Sequence, residues 1–452
     1  MAEALGGEPS LAVSRRRAVV VGAGLAGLEA ARVLHERDFD VTVVETRARV
    51  GGRVFSFEDA ATHRWLDNGQ HLVLGCCTRF RQWIDTLGLH DVLALDRQLA
   101  LPVASPRSRA VLGSVPWLGP LHLATGMVGY HHLSAHGRLT ALGVGVRLAF
   151  AHPHPKQTFA QWLRSAGHRE DEIARLWNLL GVSVFNAEAD ELSAAAAVQG
   201  FRLGFLGPPS HAALGMFRSP LGLIPERARA QLTRAGVDIR LRAGVARIVF
   251  DGPTARGVRL HSGEMLAADL TVATMQPPAL RRLLMQDWPD HPFVQSLAAF
   301  RPNPILNLYL LFDRPVLDVP VLAAVDSPVQ FVFNRGRLMG DPELSGRFLA
   351  LSVSAADRWT AVPANTLVPT FVRALAHIAP GVGTANLLHA RTVWQRDATM
   401  ILTPEAATLR PGPATDWPGL YLAGDWTDTG WPCSMESALR SVDNLTGSGL
   451  FS

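Results

Sequence analysis

The sequence has few cysteines and no long apolar run. Its 452 residues include three cysteines, Cys76, Cys77 and Cys433, which are too few for a disulfide framework or a CxxC metal site. We therefore expect a protein that resides in a reducing compartment and holds no metal. No apolar run reaches the roughly 18 residues that a membrane-spanning helix needs, so the sequence predicts no span.

Strong charge is also lacking. The formal net charge is +4, and the basic residues, mostly arginine, are spread along the chain, which disfavours nucleic acid as a partner. A mild attraction to an anionic lipid surface stays open. Hydrophobic residues at 48% and charged residues at 18% are typical of a globular protein. The length exceeds what one hydrophobic core usually supports, so we expect two domains or one domain interrupted by another.

The start of the chain permits two interpretations. Residues 1–13 are typical of a loose leader. The stretch Ser14-Arg15-Arg16-Arg17 and the apolar run after it are similar to a twin-arginine export signal. Removal of that run would destroy the first strand of the motif described below, so we favour a cytoplasmic protein.

Hydrophobic periodicity predicts one βαβ unit at the start, with a strand at 17–22, a helix at 25–37 and a strand at 40–45. From 76 to about 210 helical spacing dominates. The helices predicted there are 80–94, 138–151, 157–166 and 170–182.

Strands return later in the chain. Those between 215 and 275 indicate a β-meander followed by a return to the first sheet, and they are predicted at Val237–Leu241, Val245–Phe250, Ala255–Leu260 and Leu270–Thr274. Further elements indicate a second sheet and then a closing unit: strands at Pro304–Phe312 and Arg347–Ser354, a helix near 367–378, a buried strand at Gly419–Ala423 and a helix at 433–447.

The strongest local motif is the glycine-rich run from Gly22 to Gly27, which follows a strand and opens a helix. Gly22 permits the tight turn, Gly24 lets the backbone approach a pyrophosphate, and Gly27 allows close packing of helix on strand. The helix N-terminus offers N–H groups to the phosphates. Glu45, at the end of the second strand, is placed to accept hydrogen bonds from a ribose. These features predict a dinucleotide site.

The stretch from Glu45 to Arg53 resembles the E-x-R-x-R-x-G-G-R segment of the flavin-containing amine oxidase and phytoene desaturase superfamily, which implies FAD rather than NAD. Paired glycines let the backbone pass a large planar ring, and an arginine there neutralises phosphate charge. Leu422-Ala423-Gly424-Asp425 resembles the second flavin motif of the superfamily. The resemblance implies that Asp425 holds the ribityl chain and that the following helix points its N-terminus at the flavin.

The run Leu66-Asp67-Asn68-Gly69-Gln70-His71 and the following Leu72 to Gly75 narrow the family. They resemble the D-N-G-Q-H-L-x-L-G segment of the squalene-associated flavoproteins, the hydroxysqualene dehydroxylases of hopanoid synthesis. The resemblance covers nearly the whole chain. The chain departs from the family pattern at Cys76-Cys77 and at Ser437 and Val442, which replace glycines usual in the last helix.

The resemblance implies an α/β fold of amine oxidase type, in which a Rossmann-like FAD-binding domain is interleaved with a substrate domain made of a mixed sheet and a helical part. The FAD-binding segments are then 14–75, 215–275 and 395–452, with 76–214 as the helical part and 276–394 as the substrate sheet. The residues assigned to the cofactor are Gly22, Ala23, Gly24, Ala26, Gly27, Glu45, Thr46, Arg47, Gly52, Arg53, Asn68, Gly69, Gln70, Val245, Gly424, Asp425, Ser434 and Met435.

The implied reaction is reductive dehydroxylation of hydroxysqualene to squalene. Hydroxide is a poor leaving group, so a general acid should protonate it before hydride arrives from the reduced flavin. His71 is the first candidate because imidazole changes charge near neutral pH. The competing explanation is a histidine that is hydrogen-bonded for structure or to the flavin. Asp428 and Glu436 are rival acids, and we expect Asp67 to tie its loop down.

A C30 isoprenoid does not travel freely through water, so we expect peripheral contact with the inner face of the cytoplasmic membrane. Residues 111–151 are the candidate contact, since they are apolar, interrupted by Gly and Pro, and carry Arg138 and Arg147. Packing in the core of the helical part is the competing interpretation. Upstream enzymes of squalene synthesis are further partners that the resemblance implies.

Three alternatives use the same scaffold. A carotenoid-type desaturase differs in its substrate and in the direction of electron flow. An amine oxidase usually carries an aromatic cage beside the flavin, and this chain has only three tyrosines. A lipid-escort protein without flavin would lack the closing motif at Gly424-Asp425, which is intact here.

Overall fold

A computed structural model describes residues 15–449, and for residues 119–121 it describes the backbone alone. The predicted leader at 1–13 and Ser14 lie outside the described residues, so the export-signal alternative is not addressed by the structure.

The described residues form twenty strands. In chain order they are β1 Arg17–Val21, β2 Asp40–Val44, β3 Ser56–Asp59, β4 Arg64–Asp67, β5 Leu72–Leu74, β6 Leu93–Leu95, β7 Ala100–Ala104, β8 Arg109–Gly113, β9 Leu214–Phe217, β10 Asp238–Arg240, β11 Val245–Asp251, β12 Thr254–Leu260, β13 Met265–Ala267, β14 Leu270–Ala273, β15 Pro302–Phe312, β16 Val321–Ala324, β17 Phe331–Asn334, β18 Phe348–Val353, β19 Leu387–Met400 and β20 Leu420–Leu422.

The same residues form fifteen α-helices. They are α1 Leu25–His35, α2 Thr78–Thr86, α3 Ala124–Val128, α4 Ala135–Phe150, α5 Phe159–Ser165, α6 Glu170–Glu172, α7 Leu179–Phe185, α8 Ala194–Phe205, α9 Leu223–Arg234, α10 Pro277–Leu284, α11 Pro292–Ser296, α12 Arg335–Leu338, α13 Ala364–Ile378, α14 Pro404–Thr408 and α15 Met435–Gly447. A π-helical turn, Ile173–Asn178, joins α6 to α7.

Five parallel strands form the cofactor sheet, in the order β10-β2-β1-β14-β20. The apolar run in β1 is buried on both faces, as expected for a parallel sheet covered by helices. Helix α1 packs against α9 and α15. The predicted βαβ unit is confirmed, and so are the return of the chain to this sheet at β14 and the closing strand and helix.

One strand was assigned to the wrong sheet. The segment predicted at Val237–Leu241 forms β10 and pairs in parallel with β2, so it belongs to the cofactor sheet, and the meander consists of β11, β12 and β13. The spacing of the strands in the sequence could not distinguish these pairings, because register along an edge is fixed by tertiary contacts.

The second sheet, which is predicted to belong to the substrate domain and which we call the substrate sheet, is mixed and has seven strands in the order β19-β15-β18-β17-β16-β7-β8. Its two predicted strands are confirmed as β15 and β18, which pair antiparallel. The long strand β19 was missed because it is polar and half exposed. It also contains the predicted boundary between 394 and 395, which therefore cuts a continuous strand.

The helical part is less helical than predicted. Helix α2 ends at Thr86 and residues 93–95 form β6, so the helix predicted at 80–94 is wrong in its second half. Strands β7 and β8 join the substrate sheet although they come from the segment 76–214. Short apolar runs broken by Pro and Gly do not distinguish strands from helices. The other three predicted helices correspond to α4, to α5 and to the continuous run from α6 to α7.

Within residues 15–449, no helix combines the length and the apolar character that crossing a bilayer requires.

Candidate cofactor and active site

The glycine-rich loop has the geometry that its sequence predicts. Gly22 adopts φ +110°, and its N–H donates to the carbonyl of Val44 (2.8 Å). A Cβ on Gly27 would lie 1.9 Å from the carbonyl oxygen of Gly22, so helix α1 approaches the turn as closely as only glycine allows. A Cβ on Gly24 would meet no atom within 4 Å. The open space at the start of α1 is therefore in front of Gly24, where the pyrophosphate was predicted.

Glu45 connects the glycine loop to the segment that follows β2. Its buried carboxylate accepts hydrogen bonds from the N–H groups of Ala23 (3.0 Å) and Arg47 (2.9 Å). The backbone of Glu45 in turn accepts from Ala243 (2.8 Å), which brings the start of β11, at Val245, next to the end of β2. Glu45 and Val245, both assigned to the cofactor, are thus neighbours, while Thr46 and Arg47 are exposed beside them.

An ion pair joins the two flavin-type motifs across 372 residues of sequence. The guanidinium of Arg53 donates to both carboxylate oxygens of Asp425 (2.5 and 3.0 Å) and to the carbonyl of Ala398 (2.7 Å). The two φ-positive glycines before Arg53, Gly51 and Gly52, pass the glycine loop closely, since a Cβ on Gly52 would lie 3.2 Å from Cα of Gly24. The structure brings the predicted residues Gly24, Gly52, Arg53 and Asp425 into one cradle.

Arg410 holds the loop that follows Asp425, and sequence reasoning missed it because no local pattern identifies it. Its guanidinium donates to four backbone carbonyls, those of Asp425 (3.1 Å), Trp426 (3.2 Å), Trp431 (2.7 Å) and Thr427. One side chain from outside the loop between β20 and α15 therefore holds four of its carbonyl groups.

Helix α15 begins beside the same loop. Ser434 caps it by accepting from the N–H of Ser437 (3.3 Å), with Met435 as the first helical residue. The hydroxyl of Ser437 donates to the carbonyl of Asp425 (2.8 Å) and contacts the hydroxyl of Thr429 (2.7 Å). The serine that replaces a glycine thus stabilises the Asp425 loop, and Val442 fills the apolar core.

The segment 66–71 lies against this cradle. Asn68 donates through Nδ2 to the carbonyl of Arg53 (2.5 Å). Asp67 is fully buried and accepts from Ser56 (2.6 Å) and from the backbone N–H of Leu221 (2.9 Å). Its second oxygen faces the buried Arg335 at 3.1 Å. Asp67 therefore ties the loop down, as expected, and Arg335 is the charge partner that the sequence did not identify.

Two buried amide oxygens at this segment have no protein partner among the described residues, Oδ1 of Asn68 and Oδ1 of Asn307. Asn307 lies on β15, and its Nδ2 donates to the carbonyl of Asn68 (3.3 Å). It also limits Gly69, since a Cβ there would lie 3.0 Å from Nδ2. Buried acceptors without a donor are costly unless a ligand supplies one. With the open space at Gly24, these oxygens show that the residues present fit a large nucleotide cofactor such as FAD. Asn307 was missed because nothing in its strand marks it as functional.

His71 is held by a local hydrogen bond. Its Nδ1 lies 2.9 Å from the carbonyl of Gly69, so Nδ1 carries the proton and Nε2 is the free nitrogen. Burial lowers the pKa of His71 and outweighs the effects of the Gly69 carbonyl and Asp67, which raise it. The neutral imidazole is therefore the prevailing form near neutral pH. Its neighbour Gln70 contacts Asp67 (3.2 Å) and Arg335 (3.3 Å).

The two rival acids lie elsewhere. Glu436 is buried and accepts from the N–H groups of Arg79 (3.1 Å) and Phe80 (2.7 Å) at the start of α2, and from Arg440 (2.7 Å). Both oxygens of this carboxylate therefore accept hydrogen bonds from protein groups, two of them backbone N–H groups in the first turn of α2. Asp428 is exposed and lines a surface cavity of about 130 Å³ beside Arg410 and Trp431. The catalytic roles of His71, Asp428 and Glu436 stay predictions.

The cysteines show no reactive environment. Burial raises the pKa of Cys433 to about 12, and the contact with Cys76, together with burial, raises the pKa of Cys77. Among residues 15–449, no group of three or more His, Cys, Asp or Glu side chains is arranged to hold a metal ion.

Comparisons with known proteins agree with this geometry. The family described as flavin containing amine oxidoreductase matches residues 25–442. A hydroxysqualene dehydroxylase from Sinorhizobium fredii is 27% identical over 93% of this chain and 95% of its own. A 15-cis-phytoene desaturase from Synechococcus elongatus is 23% identical over 94% of each chain. An oxidoreductase from Methanosarcina mazei shares the fold, with a TM-score of 0.74 and 17% identity over 95% of this chain and 100% of its own.

Proposed function

The chain belongs to the flavin containing amine oxidoreductase family, and on that premise we propose that it removes the hydroxyl group of hydroxysqualene to give squalene. Membership makes the protein an FAD-dependent oxidoreductase, and the residues of the cradle fit that cofactor. Hydroxysqualene as the substrate is the part that we propose.

The reaction balances as a two-electron reduction. The substrate gains a hydride at the allylic carbon and loses its hydroxyl, which leaves as water after protonation. Reduced FAD, when bound, supplies the hydride. The remaining tasks are those of the chain: to bind an apolar substrate, to exclude water that would recapture an allylic cation, and to deliver one proton to the leaving oxygen.

The observation that best supports the proposal is the position of the segment 66–71. It carries the resemblance to the hydroxysqualene dehydroxylases, and the bond from Asn68 to the carbonyl of Arg53 sets it against the cofactor cradle. A substrate-specific segment is expected where the cofactor meets the substrate. The similarity to the Sinorhizobium dehydroxylase extends over nearly both full chains.

We propose that His71 delivers the proton. Its Nδ1 is occupied by the carbonyl of Gly69, so the proton comes from Nε2 of the imidazolium. Because the pKa of His71 is lowered, the imidazolium is a minor form but a strong acid. The rate should therefore rise as the pH falls from about 8 to about 6.

The substrate is a lipid, and we propose that the protein takes it from the inner face of the cytoplasmic membrane. The enzymes that build the C30 skeleton would then act immediately before it.

One alternative has an observation in its favour. The similarity to a phytoene desaturase covers 94% of each chain, and a desaturase on this scaffold would remove hydrogen from a polyene instead of reducing an alcohol. The two functions predict opposite electron flow.

The deciding experiment is anaerobic. The flavin-loaded protein is reduced and mixed with hydroxysqualene in detergent, while flavin absorbance and squalene formation are followed. We expect reoxidation of the flavin with one squalene per flavin. No reoxidation by hydroxysqualene, together with bleaching of the oxidised enzyme by phytoene or squalene, would contradict the proposal and favour the desaturase.

A further inference from the structure

Helix α4 has two opposite apolar faces, and only one of them is packed. Gly137, Ala141, Val144 and Leu148 are buried against the rest of the helical part. On the opposite face an apolar row at the same spacing points to solvent: Leu139 (70% exposed), Val146 (62%) and Phe150 (78%). A second apolar face on a helix is expected to be covered by protein or lipid rather than to point into water. Core packing therefore explains one face of α4 and leaves the other unexplained.

The exposed row continues beyond α4. Trp117 is 83% exposed, and Val111 and Val128 are also exposed. Helix α3 packs against β8 and against α4, and Arg138 on α4 donates to the carbonyl of Val128 (2.9 Å). We call the exposed apolar side chains of this continuous region the α4 surface: Val111, Trp117, Val128, Leu139, Val146 and Phe150.

The chain around this surface carries positive charge only. Residues 97–169 contain no aspartate or glutamate, although the chain has 39 of them, and they contain eight of its lysines and arginines. Arg138 and Arg147 lie on α4 itself, and within residues 15–449 neither pairs with a carboxylate. Of the acids that other segments bring near this stretch, Glu172 is buried against Ser134, and Asp326 is paired with Arg175. A stretch that supplies an apolar face and only positive charge matches the chemistry of a negatively charged lipid surface.

The surface is held on a firm support. Arg202 on α8 donates to the carbonyls of Leu148 (2.6 Å) and Ala151, which fixes the end of α4. A Cβ on Gly126 would lie 1.9 Å from the carbonyl of Gly113, so α3 sits directly on the end of β8. The exposed apolar side chains therefore project from a packed framework.

We propose that the α4 surface docks the protein on an anionic bilayer, with Trp117, Leu139 and Phe150 entering the interface and Arg138 and Arg147 facing the headgroups. The inference rests on the proposed function only for its purpose, which is to collect a lipid substrate. A second copy of the chain is a poorer occupant, because a symmetric contact would set the arginines of both α4 helices against each other, and α4 itself carries no acid to offset them.

The test is flotation of the flavin-loaded protein with vesicles, without any substrate. We expect binding to vesicles of phosphatidylcholine with about one third phosphatidylglycerol, and at least tenfold weaker binding to phosphatidylcholine alone. The double variant Leu139→Glu/Phe150→Glu should lose at least tenfold in partition. Trp65, on β4, is 56% exposed and lies outside the surface, so Trp65→Glu is the matched control and should bind like the parent.

The variants should keep their flavin, which shows that they fold. Equal flotation of the double variant and the parent would overturn the proposal. So would a parent that ignores vesicles and sediments as a dimer that Phe150→Glu dissociates, because the face would then bind a second copy. A parent that floats but fails to convert hydroxysqualene in any vesicle would contradict the proposed reaction alone.

Discussion

The cofactor half and the stretch 97–169 differ in the groups that accompany their buried polar side chains. The cofactor half is the set of segments assigned to FAD binding, 14–75, 215–275 and 395–452. In the cofactor half, three buried carboxylates are paired with arginines: Glu29 with Arg32 and Arg79, Asp67 with Arg335, and Asp425 with Arg53. The stretch 97–169 contains no carboxylate, and its buried titratable groups include three histidines, His122, His132 and His168.

This difference follows from what each region has to hold. Charge pairs between remote segments fix a cradle whose atoms must keep their positions around a charged cofactor. A region without acids, apolar on its outer side, presents no negative charge to a lipid surface. The cofactor half is therefore held by hydrogen bonds and charge pairs, whereas the stretch 97–169 is characterised by its exposed apolar side chains and by its lack of acidic residues.

The largest expected effect tests how tightly the cofactor half is specified. In Gly27→Ala the new methyl group would lie 1.9 Å from the carbonyl oxygen of Gly22, so the helix or the turn must move, at a cost of about 3 kcal/mol or more. We expect a protein that is insoluble or melts well below the parent in thermal unfolding.

Gly24→Ala is the matched variant, since its methyl group meets no protein atom. It should fold, yet lose on the order of 100-fold in FAD affinity because the methyl group occupies the approach to the pyrophosphate. Equal behaviour of the two variants would contradict the roles assigned to these glycines.

The next effect concerns the ion pair between the two motifs. Asp425→Ala leaves Arg53 without its carboxylate, and breaking a buried pair costs about 3–5 kcal/mol. Because Arg53 is partly exposed, we expect the free energy of unfolding to fall by about 1–3 kcal/mol. The variant should also retain flavin weakly. A double-mutant cycle with Arg53→Ala in urea unfolding measures the coupling. Additive losses would show that the motifs are held together by other contacts.

The cofactor half was also the part that the sequence predicted best. Gly22, Gly27 and Glu45 act through backbone geometry within about twenty residues, so their spacing carries the information. The sequence did not identify the partner residues that come from distant parts of the chain. Arg335, Asn307 and Arg410 contact the site only because of tertiary packing, and an isolated arginine or asparagine has no pattern of its own.

The helical part shows the opposite limit. Apolar spacing predicted α4 and left membrane contact and core packing as alternatives for 111–151. The structure shows core packing for one face of α4 and leaves the opposite apolar face exposed. The sequence could not tell the two faces apart, because a helix with two apolar faces has the same periodicity whichever face is buried. Similarly, β7 and β8 are too short and too interrupted by Pro and Gly for their pairing to be read from the sequence.

A third effect separates a structural residue, Glu436, from the proposed catalytic residue, His71. Glu436→Gln should lower the free energy of unfolding by about 1–2 kcal/mol, because one of its oxygens can no longer accept from α2. Turnover should stay within about twofold. His71→Gln should do the reverse and lower turnover on the order of 100-fold with an unchanged melting temperature. A Glu436 variant that folds normally but is inactive would return Glu436 to the list of acids.

The smallest expected effect concerns stability, because the titratable groups of the two regions lose their contributions to the free energy of unfolding at different pH values. Burial lowers the pKa of His122, outweighing its bond to the carbonyl of Phe205, and within residues 15–449 its Nδ1 has no partner. The folded state then binds fewer protons than the unfolded state, so the contribution of His122 to stability is complete above about pH 6.5 and is lost as the pH falls below it.

Glu29 in the cofactor half titrates in another range. Burial raises the pKa of Glu29, but Arg32 and Arg79 outweigh burial and lower the pKa overall, so the contribution of Glu29 to stability is lost only below about pH 4.5. Urea unfolding between pH 7.5 and 5 should therefore show a decrease on the order of 1 kcal/mol that His122→Gln reduces and the exposed-site variant His63→Gln does not. An unchanged slope in His122→Gln would contradict this assignment and would point instead to His168 or His71, since burial lowers the pKa of each of these histidines as well.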